Sequence, residues 1–137
     1  MTTIPESYHR LLAGPCFAHV ATLRPDGLLS VHPVAILFDG ATLRFSTLTT
    51  RGKFRNLQSD ARLSLSIIDP QQPLRHLELR GRASWERDMQ RTFIDAIARK
   101  YFDRDHYPFD PAGAERVTVT LHIEQVAGSD LKPRSAS

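Results

Sequence analysis

The 137-residue chain has one cysteine, Cys16. A single thiol cannot close an internal bridge, which excludes a disulfide-stapled scaffold and points to a reducing compartment. Long hydrophobic runs are also missing. No stretch approaches the roughly 20 apolar residues needed to span a bilayer, and the segment before Gly14 carries Glu6, His9 and Arg10 where a secretory leader needs an apolar run. The expectation is a soluble, cytoplasmic protein with no membrane partner. The six histidines are scattered, with no pair at the i, i+4 spacing of a helical metal site and no Cys-x-x-Cys, so no metal is expected. His-Glu-x-x-His, Gly-x-Ser-x-Gly and phosphate-loop motifs are absent too. No run of five like charges reads as a nucleic-acid tail. A single-strand binder would need exposed aromatics beside its cations, and Phe54 is expected in the core. No nucleic-acid partner is expected.

What is present is a globular composition, with 41% apolar and 24% charged residues. The length fits one domain with a core of its own, expected over residues 1–127, with Gly128 to Ser137 as a flexible tail. Net charge is +3. The cations are concentrated: Arg51, Lys53 and Arg55 form one group, and Arg75, Arg80 and Arg82 another.

The pattern predicts strands with few helices. A short helix opens the chain, with Thr3 as its cap, Pro5 in its first turn and Gly14-Pro15 as its stop. Strands follow over Cys16 to Leu23, Leu28 to Phe38 and Thr42 to Thr47, joined at Pro25-Asp26-Gly27 and Asp39-Gly40. Thr49 to Ser59 reads as a helix burying Phe54 and Leu57. Ala61 to Ile68 and Leu74 to Trp85 alternate as strands. Gly81 within the second of these predicts a bulge or a close backbone approach. Met89 to Phe102 is the strongest helix, with Phe93, Ile94, Ile97, Ala98 and Tyr101 as its core stripe. A loop with Pro108 and Pro111 leads to a last strand, Arg116 to Val126. Antiparallel strands in this number close most economically as a barrel with helices packed on it. Cys16 reads as a small buried hydrophobe, and Trp85 as a packing residue.

The chemistry-bearing segment runs from Ser46 to Leu57. It leaves a strand, passes hydroxyl-rich residues and enters a helix carrying Arg51 and Lys53. A helix N-terminus favours an anion by roughly 0.3–1 kcal/mol, and each charge-assisted hydrogen bond adds roughly 1.5–3 kcal/mol. Ser46, Thr49 and Thr50 supply hydroxyls, and Gly52 lets the backbone come close. On local chemistry alone the segment is equally a phosphate cradle or a solvated helix start capped by Thr49 or Thr50.

The string Arg51-Gly-Lys53-Phe-Arg55-Asn56-Leu57, followed by Ser-Asp-Ala-Arg62-Leu-Ser-Leu, resembles the pyridoxamine-phosphate-oxidase-like split β-barrel superfamily, in particular its deazaflavin (coenzyme F-420) dependent branch. Val20 to Leu23 with Pro25-Asp26-Gly27, Leu79 to Ala83, Lys100-Tyr101, Tyr107-Pro108-Phe109 and Ile123 to Val126 extend the likeness over most of the chain. The resemblance implies a mostly-β, six-stranded antiparallel split barrel with about three helices. It also implies a homodimer with cofactor sites at the interface. The cofactor's phosphate would lie against Ser46, Thr49, Thr50, Arg51, Lys53 and Asn56, its ring near Ser30, His32, Pro33 and Val34. The partner subunit would close the site through Leu74, Arg75 or His76.

The implied activity is hydride transfer between the deazaflavin and an unsaturated small organic acceptor. An FMN-dependent oxidase or reductase and a non-catalytic cofactor carrier are the alternatives. The spacing Arg51-Gly52-Lys53, where FMN-binding relatives often place adjacent Arg-Lys, favours the deazaflavin. Should a proton donor be needed, His32 and His76 are candidates, because imidazole titrates near neutrality.

Overall fold

The computed structural model describes residues 3–130. A 3-10 turn (Glu6–Tyr8) runs into α1 (His9–Ala13), followed by β1 (Phe17–Leu23), β2 (Leu29–Phe38), β3 (Leu43–Leu48) and α2 (Gly52–Ser59). Then come β4 (Arg62–Asp69), β5 (Gln72–Arg87), α3 (Thr92–Phe102) and β6 (Arg116–Asp130). The six strands pair antiparallel and close in the order β1-β2-β3-β6-β5-β4, with β4 returning to β1. This is the mostly-β split barrel with three helices that the sequence led us to expect.

The alternation along each strand decides what the barrel holds. Ala18, Val20, Ile36, Leu43, Phe45, Leu65, Ile67, Leu77, Leu79, Val117 and Val119 all point inward and are buried. Each of these side chains larger than alanine contributes about 1.5–3 kcal/mol of burial free energy. Phe54 and Leu57 of α2 join this core, and α1 adds Leu12. A second cluster forms outside the barrel, where Phe93, Ile94 and Ile97 of α3 cover Ala35 and Leu37 of β2. Trp85 packs edge-on against Phe54, with ring centroids 5.5 Å apart.

The tight turns follow their residues. Gly27 and Gly40 take positive φ values of 87° and 97°, which L side chains adopt at a steric cost. The Asp39 carboxylate accepts the N–H groups of Thr42 and Ala41 at 2.6 and 2.9 Å, and these bonds hold its carboxyl below the ordinary range.

Gly81 sits where the register of β5 against β6 shifts, with Arg80 opposite Gln125 but Gly81 opposite Ile123. A Cβ there would lie 1.9 Å from the His122 carbonyl oxygen. The glycine is both the bulge and the close approach that its mid-strand position predicted.

One feature of the ladders opens the barrel. From Leu29 to Ala35, β2 pairs with β1, whereas only Ile36 to Phe38 pair with β3. The last residues of β3, Ser46 to Leu48, pair with β6 on one side and have no β2 partner on the other. The two strands therefore splay apart, and Pro33, which has no N–H to donate, lies in the unpaired stretch. Tyr101 of α3 seals the divergence. Its hydroxyl accepts the Ile36 N–H at 3.0 Å and bonds the Cys16 carbonyl. Beside it, Lys100 donates to the carbonyls of Leu12 and Ile36 at 2.9 and 3.0 Å. Cys16 is buried and free, and burial pushes its thiol up despite the nearby Lys100.

Several boundaries differ from the sequence reading. α2 begins at Gly52 with Arg51 as its cap residue, not Thr49 or Thr50. The Thr49 N–H is taken by the Glu115 carbonyl at 3.0 Å, and the Arg51 N–H closes a turn onto Leu48 at 3.0 Å. Thr3 caps nothing, since the opening turn starts after Pro5 with no side-chain cap. α3 begins at Thr92 rather than Met89, because Arg91 takes a left-handed conformation and the Asp88 carboxylate receives the N–H groups of Phe93 and Ile94. Gly128 to Asp130, expected in the tail, continue β6 by pairing with Leu77, His76 and Arg75 of the long β5. Backbone pairing needs no apolar alternation, which is why the pattern ended too early. The rest of the expected tail, 131–137, lies outside the described residues.

Candidate functional site

The splay between β2 and β3 forms a groove. A cavity of about 380 Å³ is walled on one side by His32, Pro33, Val34 and Ala35 of β2 and on the other by Ser46, Thr47 and Leu48 of β3. α3 roofs it with Ile94 and Ile97, Phe17 and Phe102 add to the apolar wall, and Tyr107 lies between Phe102 and the cations, its ring beneath Arg116. Arg51, Lys53 and Arg116 close one end. A second cavity of about 500 Å³ continues past His32 along Ser30, Arg24, Gly52, Arg55 and Asn56. The groove is thus amphipathic, apolar beneath α3 and cationic where β3 turns into α2.

The cationic end is short of negative charge. Burial, then the neighbouring charges of Arg51 and Arg116, depress Lys53 below the ordinary lysine value. The nearby carboxylate is Asp110, and it is already engaged. It receives Arg116 in a two-pronged pair at 2.6 and 2.7 Å and Arg91 at 2.9 Å. The Arg116 bonds come first among the causes that hold its carboxyl low. Arg116 also donates to Ser46 Oγ at 3.1 Å and lies over the Tyr107 ring, 4.8 Å from its centroid. Thr47 Oγ1, at the groove floor, is buried with no partner among the described residues. Surplus positive charge, a hydroxyl and an apolar wall suit an anionic ligand with a flat ring. On these residues the groove fits a phosphate-bearing flavin or deazaflavin.

Of the residues singled out in the sequence, His32, Pro33, Val34, Ser46, Arg51 and Lys53 line the main cavity, and Ser30, His32 and Asn56 line its extension. Asn56 is 6% exposed and donates to Thr22 Oγ1 at 3.0 Å, so its amide nitrogen is committed to the core. Thr50 is exposed in the turn. Thr49 lines a different cavity, with Trp85 and Glu115. His76 lies on β5, paired to Ile68 and Ser129 and away from the groove of its own chain. Leu74 is 70% exposed, whereas Arg75 is held by Asp69 at 3.3 Å and by the Ser7 carbonyl at 2.7 Å.

Among the groove residues that the sequence reading did not single out are Phe17, Phe102, Tyr107 and Arg116. Arg116 opens β6, far from the cradle in sequence, and reaches it through the pairing of Leu48 with Arg116. A lone arginine ahead of Val117-Thr118-Val119 carries no local sign of that role. Among the described residues, no three His, Cys, Asp or Glu gather as a metal site, and no helix is long and apolar enough to cross a membrane.

A closed six-stranded barrel split along β2 and β3, with an amphipathic groove in the split, defines a class of flavin-binding proteins. The chain belongs to the pyridoxamine 5'-phosphate oxidase family, whose sequence model matches residues 4–130. It is similar to an F420 reductase of known structure at 33% identity, with a TM-score of 0.79 over 90% of this chain and 98% of that one. The conserved hypothetical protein Rv2991 of Mycobacterium tuberculosis shares the fold at 19% identity, TM-score 0.73, over 98% of this chain and 92% of that one. General stress protein 26 of Bacillus anthracis does so at 16% identity, TM-score 0.68, over 93% and 94%. No curated protein matches the chain.

Proposed function

We propose that the protein is an oxidoreductase that binds a deazaflavin, coenzyme F-420, in the split between β2 and β3 and uses it to reduce an unsaturated small organic molecule. The observation that carries this reading is Lys53, half-buried with the charges of Arg51 and Arg116 beside it in a groove that is otherwise largely apolar. Such an arrangement is costly without an anion and stabilising with one. The likeness to an F420 reductase over nearly the full length of both chains supports the deazaflavin in particular.

When bound, the reduced coenzyme supplies a hydride from C5 of its ring. The chain's part is binding and orientation. Ser46, Arg51 and Lys53 would hold the phosphate. Pro33 and Val34 would flank the ring, whose polar edge can use main-chain groups of β2 that lack a β3 partner. Ile94, Ile97 and Phe17 exclude water from one side, which strengthens every polar contact within. His32 stands where the two cavities meet and can pass a proton to the reduced product, a step that solvent can also perform.

The reading includes a homodimer. On the outer face of the barrel Leu29 lies opposite Leu23 and Val31 opposite Ala21, with Leu29 and Val31 67% and 59% exposed. An apolar row of this kind favours a second copy. The partner would then cover the open side of the groove.

The second reading is an FMN enzyme, favoured by membership of a family whose fold binds flavins. Fluorescence or calorimetric titration with coenzyme F-420 and FMN side by side distinguishes the two. Tighter binding of F-420, with turnover on quinones or enones, supports the deazaflavin enzyme. Tight binding without turnover across quinones, enones and tetrapyrroles marks a carrier, and affinity for neither ligand ends both cofactor readings.

A further inference from the structure

Arg116 is the most tightly prepared cation in the groove. Its side chain is 9% exposed, and that of its partner Asp110 is 7% exposed. A pair so far from solvent is built at a desolvation cost that good geometry must offset. Here Asp110 meets Nε and Nη2 of the guanidinium together, at 2.6 and 2.7 Å, and fixes its plane. Arg91 adds a second cation on the same carboxylate, although its backbone sits in the left-handed region at φ 61°. A non-glycine residue holds that conformation only where its surroundings impose it. Two arginines on one carboxylate leave this corner positive, and Arg51 and Lys53 add to the surplus.

The bond from Arg116 to Ser46 settles a further point. Guanidinium has donors only, so Ser46 Oγ must accept at 3.1 Å. The serine's own O–H is then turned away from Arg116 and is free to donate. That hydroxyl can donate where Arg51, Lys53 and the remaining N–H groups of Arg116 also donate. So many donors around one corner favour an acceptor-rich anionic group such as phosphate or carboxylate.

We infer that Arg116 is an anion-binding residue of the groove, that Asp110 positions it, and that together they set Ser46 as a donor to the same anionic group of the cofactor. This rests on the cofactor reading above and adds to it a residue from the far end of the chain. Asp110 also belongs to the loop that carries Tyr107, so the carboxylate that orients the arginine also anchors the groove's aromatic wall.

The test is calorimetric titration of coenzyme F-420 and FMN into the wild-type protein, Arg116→Lys, Asp110→Asn, the double variant and Lys53→Ala. Arg116→Lys keeps a cation beside Asp110 but loses the fork. It should unfold cooperatively and bind the preferred ligand about 10- to 100-fold more weakly, the worth of one charge-assisted bond. Asp110→Asn should also weaken binding, and the double variant should be no weaker than Arg116→Lys alone, because Asp110 acts through Arg116. Wild-type affinity in Arg116→Lys, with loss in Lys53→Ala, would make Arg116 a strut and overturn the inference while leaving the cofactor reading intact. If wild-type protein binds neither ligand, both fall. Should Arg116→Lys fail to fold, the Arg116 Nε–H resonance of wild-type protein decides: movement on saturation with ligand supports the inference, and an unmoved signal overturns it.

Discussion

The Tyr101 hydroxyl meets the Ile36 N–H at 3.0 Å, at the residue where β2 exchanges β1 for β3 as its partner. A strand that changes neighbours leaves main-chain groups unpaired, and a buried N–H without a partner costs about 1–3 kcal/mol. Tyr101→Phe removes this acceptor and the donor to the Cys16 carbonyl. It should lower unfolding stability by about 1–3 kcal/mol, seen as a reduced urea midpoint at unchanged slope. An unchanged midpoint would show that the split does not depend on this seal.

Gly81→Ala should be far more damaging than its size implies. The new methyl would lie 1.9 Å from the His122 carbonyl oxygen and 3.2 Å from the Glu124 nitrogen, both backbone atoms. Only a shift of β6 relieves the clash. We expect a loss of at least about 3 kcal/mol and a melting temperature lower by roughly 10 °C. A variant that melts with the wild type would mean the bulge can move.

Lys53 carries a pH signature. Burial first, then Arg51 and Arg116, lower it from 10.5. Below the lowered folded value the lysine is charged both folded and unfolded, so its cost is fully present. That cost lifts as pH rises through the lowered folded value, and the ligand-free protein gains relative stability there. Affinity for an anionic ligand should run the other way, level near neutrality and falling before 10.5 is reached. In Lys53→Arg the fall should vanish. Titrations across alkaline pH test this, and an identical profile in both proteins would clear Lys53 of the role.

Asp110 gives the opposite dependence. Its bonds to Arg116, then to Arg91, hold the carboxyl below 3.8, against the effect of burial. The stability it contributes is present above 3.8 and is lost as pH falls through the lower folded value. Asp110→Asn should cost about 3 kcal/mol at neutral pH, the scale for breaking one side of a buried pair. The gap from wild type should narrow in acid. Thermal melts at several pH values check this, and a gap constant with pH would mean the carboxylate's charge is not what matters.

The proposed homodimer is tested at Val31, 59% exposed on the outer face of β2. Val31→Glu should yield monomers in sedimentation and weaken cofactor binding, with little change in secondary structure. Wild-type protein that sediments as a monomer at micromolar concentration would end the dimer reading.

The barrel was legible because its information is local. Leu63, Leu65 and Ile67 alternate with polar neighbours, Pro25-Asp26-Gly27 and Asp39-Gly40 mark the turns between the first three strands, and Gly81 announces the bulge. That Ser46, Arg51 and Lys53 line one cavity was legible for the same reason, since they are close in sequence. Helix starts were less so. Thr49 and Thr50 are good capping residues, but the Glu115 carbonyl claims the Thr49 N–H from another part of the chain. Asn56 lines the second cavity, but only the fold shows that its amide nitrogen is committed to Thr22.

The sequence by itself determined which residues face inward, where the chain turns and where positive charge gathers, because periodicity and short-range sterics fix each of these. Only the tertiary structure decided that β2 and β3 part company, with Pro33 in the gap, and that Arg116 arrives beside Ser46 under the hold of Asp110. Strand partnership is a competition among distant segments for the same backbone hydrogen bonds. Its outcome depends on the whole closed ring, and no window of neighbouring residues carries it.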